Sequence, residues 1–138
     1  MKKEEANKDF VLPKEAIALK ELGYNEQNFG FYHGKDYTKL RKTLKIKNNN
    51  ASAKLSATMH TVFVSAPLYQ QAFRWFREEH KLFGFPEIGA HEISYKIFDL
   101  KIDKTITNRK NEFNGNAEEA ELECLKALIE IVKKRKNG

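Results

Sequence analysis

The ten residues from Thr38 to Lys47 alternate with a period of two: Leu40, Leu44 and Ile46 fall on one side, and Lys39, Arg41, Thr43, Lys45 and Lys47 on the other. A helix would scatter these residues around its axis, whereas a strand sorts them into one apolar and one charged face. The chain must therefore build a sheet with a face or an edge open to water, and sheets of that kind are usually antiparallel. The same pattern concentrates charge. Lys35, Lys39, Arg41, Lys42, Lys45, Lys47 and Lys54 stand against Asp36 alone, an excess of seven minus one that equals the formal net charge of +6 of all 138 residues. Such a surface attracts phosphate backbones and acidic protein patches, which concerns partners and not reaction chemistry.

At 138 residues the chain is long enough to bury a core without disulfides or a structural metal. With 41% hydrophobic residues and ten Phe it is too apolar for a disordered chain, and no segment approaches the roughly 20 consecutive apolar residues that cross a bilayer. The opening Met1-Lys2-Lys3-Glu4-Glu5 has no apolar run behind it, so no secretory signal is expected. A single cysteine, Cys124, cannot form an internal disulfide and agrees with a reducing compartment. These features lead to the expectation of a cytoplasmic protein with a flexible terminus over residues 1–9 and one globular domain over 10–138.

Along the chain, Pro13 suits the first turn of a short helix that Gly23 ends. Asn28 to His33 reads as a strand, followed by the basic strand and a third strand over Thr58 to Val64, most simply joined as a meander. Ser65 and Pro67 open a helix whose apolar positions Leu68, Tyr69, Ala72, Phe73, Trp75, Phe76 and Phe83 recur at three- and four-residue spacing until Gly84. Gly84 to Gly89 reads as a loop, Ile93, Tyr95 and Ile97 as a fourth strand, and Ile102 to Thr107 as a short further one. Asn116 and Glu119 have capping-box spacing before a last helix from Ala117 to about Lys134, with a core face of Leu122, Leu125, Leu128, Ile129 and Val132. The expected class is α+β: an antiparallel sheet of about four strands with three helices mainly on one face.

Catalytic signatures are absent. His33, His60, His80 and His91 are far apart and none has metal-ligand spacing, so neither a metal nor any other cofactor is expected. Cys124 lies in the last helix beside Glu121 and Glu123, which raise a thiol pKa. The paired glutamates Glu78-Glu79 and the cluster from Glu118 to Glu123 are explained by solvation and by the helix dipole. No phosphate loop, dinucleotide fingerprint or nucleophile elbow occurs. Tyr69, Phe73, Trp75 and Phe76 could stack on bases, but their helical spacing also makes one apolar stripe, and core packing is the reading preferred.

Three blocks resemble short proteins of Bacteroidetes bacteriophages and prophages: Pro13 to Tyr24 with Phe29 to Tyr32, Ala66 to Glu78, and Glu118 to Val132. Those proteins have no agreed activity, so the resemblance implies a genomic context and no catalytic residue. The interval from Gly34 to Ser65, where they vary, holds the basic strand, which would place a particular function there. The resulting expectation is a non-enzymatic phage accessory protein in the host cytoplasm. It would bind a host protein or ribonucleoprotein, with an anti-defence inhibitor of a CRISPR-type nucleic-acid-guided nuclease as the leading form. Its binding residues would be Lys35, Lys39, Arg41, Lys42, Lys45, Lys47 and Lys54. A nucleic-acid-binding module of phage replication or regulation is the alternative.

Overall fold

A computed structural model describes residues 8–26, 28–33, 39–47, 63–88, 93–109 and 116–137. They form α1 (Pro13–Glu21), β1 (Asn28–His33), β2 (Lys39–Lys47), β3 (Phe63–Ser65), α2 (Tyr69–His80), β4 (Leu82–Ile88), β5 (Ile93–Asp99), β6 (Lys104–Arg109) and α3 (Ala117–Asn137). The class is α+β, as expected, with three helices. The strands make two antiparallel sheets of three, ordered β2-β1-β3 and β4-β5-β6, in place of one sheet of about four. They belong to two compact units, Met1–Leu68 and Tyr69–Gly138.

In the first unit, α1 begins with Pro13, whose missing N–H costs nothing in a first turn. It ends in a Schellman motif: Tyr24 N–H reaches Leu19 O at 2.9 Å and Gly23 N–H reaches Lys20 O at 3.0 Å. Gly23 makes this possible by adopting φ +100°, where a side chain would be strained. Leu19 and Tyr24, the two ends of the motif, are both buried. The incoming segment is fastened twice, by Val11 N–H to Pro67 O at 2.9 Å and by the Tyr32 hydroxyl donating to Val11 O. Burial, with the charge of Glu15 as a second cause, pushes the Tyr32 phenol up to about 12, so it remains a donor at any physiological pH.

The sheet order of this unit departs from the expected meander. β3 pairs with β1, through Phe31 and Ser65, Tyr32 and Val64, and His33 and Phe63, and not with β2. Among the described residues β1 thereby takes the centre, where Gly30, Phe31 and Tyr32 are buried, and β2 is paired on one side. This order suits the residues. A strand with five cations among nine residues is poorly placed between two neighbours, and lysines on an outer strand discourage further strand addition. Of the third strand expected over Thr58 to Val64, residues 58–62 lie outside the described residues.

In the second unit α2 starts at Tyr69, not at Ser65 or Pro67: Ser65 closes β3 and Pro67 O accepts from Val11. Tyr69, Ala72, Trp75 and Phe76 are buried, so this aromatic stripe is mainly core. The helix stops at His80 because Lys81 adopts φ 56°, and the chain continues as β4. Residues 83–88, read from sequence as a helix end and a loop, are thus part of a strand. Pro86 is tolerated there because, among the described residues, β4 is an outer strand and need not supply every N–H.

α3 packs on β4 and β5 and closes this second core. Cys124, Leu125, Leu128, Ile129 and Val132 are buried from the helix, as are Leu82, Ile93, Tyr95 and Ile97 from the strands. Each such large aliphatic or aromatic side chain contributes roughly 1.5–3 kcal/mol on burial. Leu122, assigned to the core face from sequence, is only half-buried. Gly84 is the tightest point: a Cβ there would lie 2.8 Å from Leu128 Cδ1 and 3.1 Å from Cys124 Sγ. The N-terminus of α3 is capped as expected, with Glu119 N–H donating to Asn116 Oδ1 at 3.1 Å.

Candidate anion-binding surfaces

β2 carries Lys39, Arg41, Lys42, Lys45 and Lys47 and no carboxylate. In the ladder Lys39 stands opposite His33, Leu40 opposite Tyr32, Arg41 opposite Phe31, Lys42 opposite Gly30 and Lys47 opposite Asn28. The last step uses five residues of β2 against two of β1, so the pairing is irregular between Lys42 and Lys47. Regular two-residue alternation against β1 therefore extends only from Lys39 to Lys42, and the irregularity separates Lys45 and Lys47 from that run. Lys35 and Lys54 lie outside the described residues. The structure brings five of the seven cations selected from sequence into one strand, which is the outer strand of its sheet among the described residues.

A second concentration of positive charge lies within the Tyr69–Gly138 unit, where a cleft of about 280 Å³ is lined by Glu79, His80, Lys101, Val132, Arg135 and Lys136. Its walls are the end of α2, the turn between β5 and β6, and the last turns of α3. Three hydrogen bonds fix them. Leu100 N–H donates to Lys81 O at 2.9 Å, which ties the turn to the end of α2. Asp99 ties it to α3: its Oδ2 accepts from Arg135 Nη2 at 2.6 Å, and its Oδ1 accepts from Lys101 N–H at 2.9 Å. The Arg135 hydrogen bond is the main reason that the Asp99 carboxyl lies below its ordinary pKa, despite burial.

His80 closes the inner side of this cleft. Its ring stands edge-on to Trp75, with centroids 4.8 Å apart, and 5.8 Å from Phe76. Nε2 is buried and has no hydrogen-bond partner. Burial lowers the His80 pKa, Lys136, Lys101 and Arg135 lower it further, and Glu79 opposes them. These surroundings favour the neutral imidazole. Sequence reading missed this grouping because His80, Asp99 and Arg135 come from three separate elements and form no local motif.

Cys124 is not set up as a nucleophile. Burial, and then Glu121, push the Cys124 thiol up to about 12, far from the thiolate that attack needs. Among the described residues no group of three or more His, Cys, Asp or Glu could hold a metal ion. His60 and His91 lie outside the described residues. Among the described residues no helix is long and apolar enough to cross a membrane.

No protein-family model matches the chain, and neither a curated protein nor a solved structure matches it.

Proposed function

We propose that the chain is a non-enzymatic binding protein that engages the nucleic acid of a host target through β2. In the form that the resemblance to phage and prophage proteins favours, the target is the ribonucleoprotein of a nucleic-acid-guided nuclease and binding inhibits it. One observation carries the reading: five cations and no carboxylate occupy a nine-residue strand that, among the described residues, pairs on one side. An outer strand gives a linear array of cations access to a linear array of phosphates, and each neutralised phosphate releases a counterion.

The test is fluorescence anisotropy of labelled single- and double-stranded RNA and DNA with the full chain, over a series of salt concentrations. If four of the β2 cations each meet one phosphate, the reversal K39E/R41E/K45E/K47E weakens binding and reduces the slope of log affinity against log salt by about 3–4. An unchanged slope and affinity at low salt remove β2 from binding. An inhibitor acting only through protein contacts would bind no oligonucleotide and would be captured with the nuclease from nuclease-treated extract.

A further inference from the structure

The cleft at the end of α2 gathers cations that no single element supplies. Lys101 comes from the turn after β5, and Arg135 and Lys136 from the last turn of α3, while Glu79 is the one carboxylate in the lining. Cations in a last turn also compensate the helix dipole, a purpose that needs neither a cleft nor a buried partner. Arg135 has such a partner. The Asp99 side chain, 4% exposed, accepts from Arg135 Nη2 with one oxygen and from Lys101 N–H with the other, so one buried carboxylate positions both residues. A guanidinium carries several N–H donors in a rigid fork, and this one, 45% exposed, retains donors for a second acceptor.

Charge, donor geometry and size define what fits. Three cations and Glu79 leave the lining an excess of two positive charges, or one when Asp99 behind Arg135 is counted. Donors reaching the cleft from a turn and from two successive helix positions approach from different directions, which suits tetrahedral phosphate oxygens better than the two oxygens of a planar carboxylate. The volume of about 280 Å³ lies just under the roughly 300–1,000 Å³ of sites for drug-sized molecules, so whatever carries the phosphate is small. Val132 gives that carrier an apolar wall.

We infer that this cleft binds the phosphate group of a small phosphate monoester through Lys101, Arg135 and Lys136, with Asp99 positioning Arg135. The site lies in the Tyr69–Gly138 unit and is independent of the proposed function, requiring neither β2 nor nucleic acid.

His80 makes occupancy visible. The charged groups acting on its ring are Glu79 from α2, Lys101 from the turn, and Arg135 and Lys136 from α3. Its buried Nε2 has no hydrogen-bond partner, so the proton on the ring answers to these charges. A bound dianion offsets the three cations and raises the His80 pKa toward its ordinary value; by reciprocity, protonation of His80 tightens the binding of the dianion.

The experiment follows the backbone and imidazole resonances of the full chain by NMR during titration with methyl phosphate, dimethyl phosphate or sulfate, against sodium chloride at equal ionic strength. Sulfate stays a dianion throughout, so any pH dependence of its binding belongs to the protein. Methyl phosphate and sulfate should give saturable shifts at Lys101 and Arg135, and dimethyl phosphate, with one charge, should bind more weakly. K101Q and K136Q, both at exposed positions, should each weaken sulfate binding about two- to fivefold. The β2 reversal K39E/R41E/K45E/K47E should leave it unchanged. H80F assigns the His80 resonance, whose titration should move to higher pH in sulfate and not in chloride. Equal shifts in chloride, undiminished binding by K101Q/K136Q in a chain that melts like wild type, or an unmoved His80 titration at saturating sulfate would each overturn the site, whatever β2 binds. Dimethyl phosphate binding as tightly as methyl phosphate would overturn the monoester. Ribose 5-phosphate should bind at least as tightly as methyl phosphate; a response confined to phosphatidic acid in phosphatidylcholine vesicles would overturn the small carrier in favour of a lipid headgroup.

Discussion

Replacing Gly84 by alanine tests the packing on which the second unit depends. The added Cβ would lie 2.8 Å from Leu128 Cδ1, 3.2 Å from Leu128 Cγ and 3.1 Å from Cys124 Sγ. Both neighbours are fully buried and lie one turn apart on α3, so neither has open space to enter. Because two buried neighbours are met at once, both side chains must shift to admit the methyl. Overpacking of this kind costs about 1–3 kcal/mol, offset by about 0.5–1 kcal/mol because alanine loses less conformational freedom than glycine on folding. The expected net loss is about 0.5–2 kcal/mol. Urea unfolding followed by the fluorescence of Trp75, which is buried in this unit, reads it as a lower midpoint at unchanged slope. Leu128→Ala alone should cost about 2–5 kcal/mol, yet G84A/L128A should be less destabilised than the sum by about 1 kcal/mol, because the truncation makes room for the new methyl. Equal or higher stability of G84A, or strict additivity in the double variant, would refute the close approach of α3 to β4.

Two further predictions concern the cleft. Asp99 has a lowered folded pKa, so its contribution is present above the unfolded value of about 3.9 and is lost as pH falls through the folded value; D99N should cost about 1–2 kcal/mol at neutral pH, discounted for the half-exposed Arg135, and should flatten the stability loss below about pH 4 in acid-unfolding curves. His80 has a folded pKa below the unfolded value of about 6.5, so the unfolded chain binds the proton more readily and stability falls as pH drops below that value toward the folded pKa. H80F keeps the ring contacts with Trp75 and Phe76, removes the unpartnered Nε2 and should abolish that slope, whereas an imidazole titrating above 6.5 by NMR would contradict the burial and the cation neighbours assigned to it.

Local signals in the sequence carried the elements whose causes are local. Asn28–His33 and Ile93–Asp99 announce themselves as strands, and Asn116 caps α3 where its spacing to Glu119 places it. β4 escaped because Phe83 continues the helical spacing of α2 and Gly84 and Pro86 resemble loop residues. What decides the matter is the left-handed turn at Lys81 and the outer position of β4, neither of which composition records. The outer position of β2 was equally hidden, because periodicity reports which residues share a face and not which strands become neighbours. The His80 cleft depends on helix ends and a turn meeting in space, so its residues were visible in the sequence only one at a time.

Photocrosslinking of the wild-type chain to a single-stranded RNA bearing photoreactive uridines, followed by peptide mapping, tests the central claim most directly. Attachment within Lys39–Lys47 is the predicted result. Crosslinks confined to other segments, or none at low salt, would contradict it.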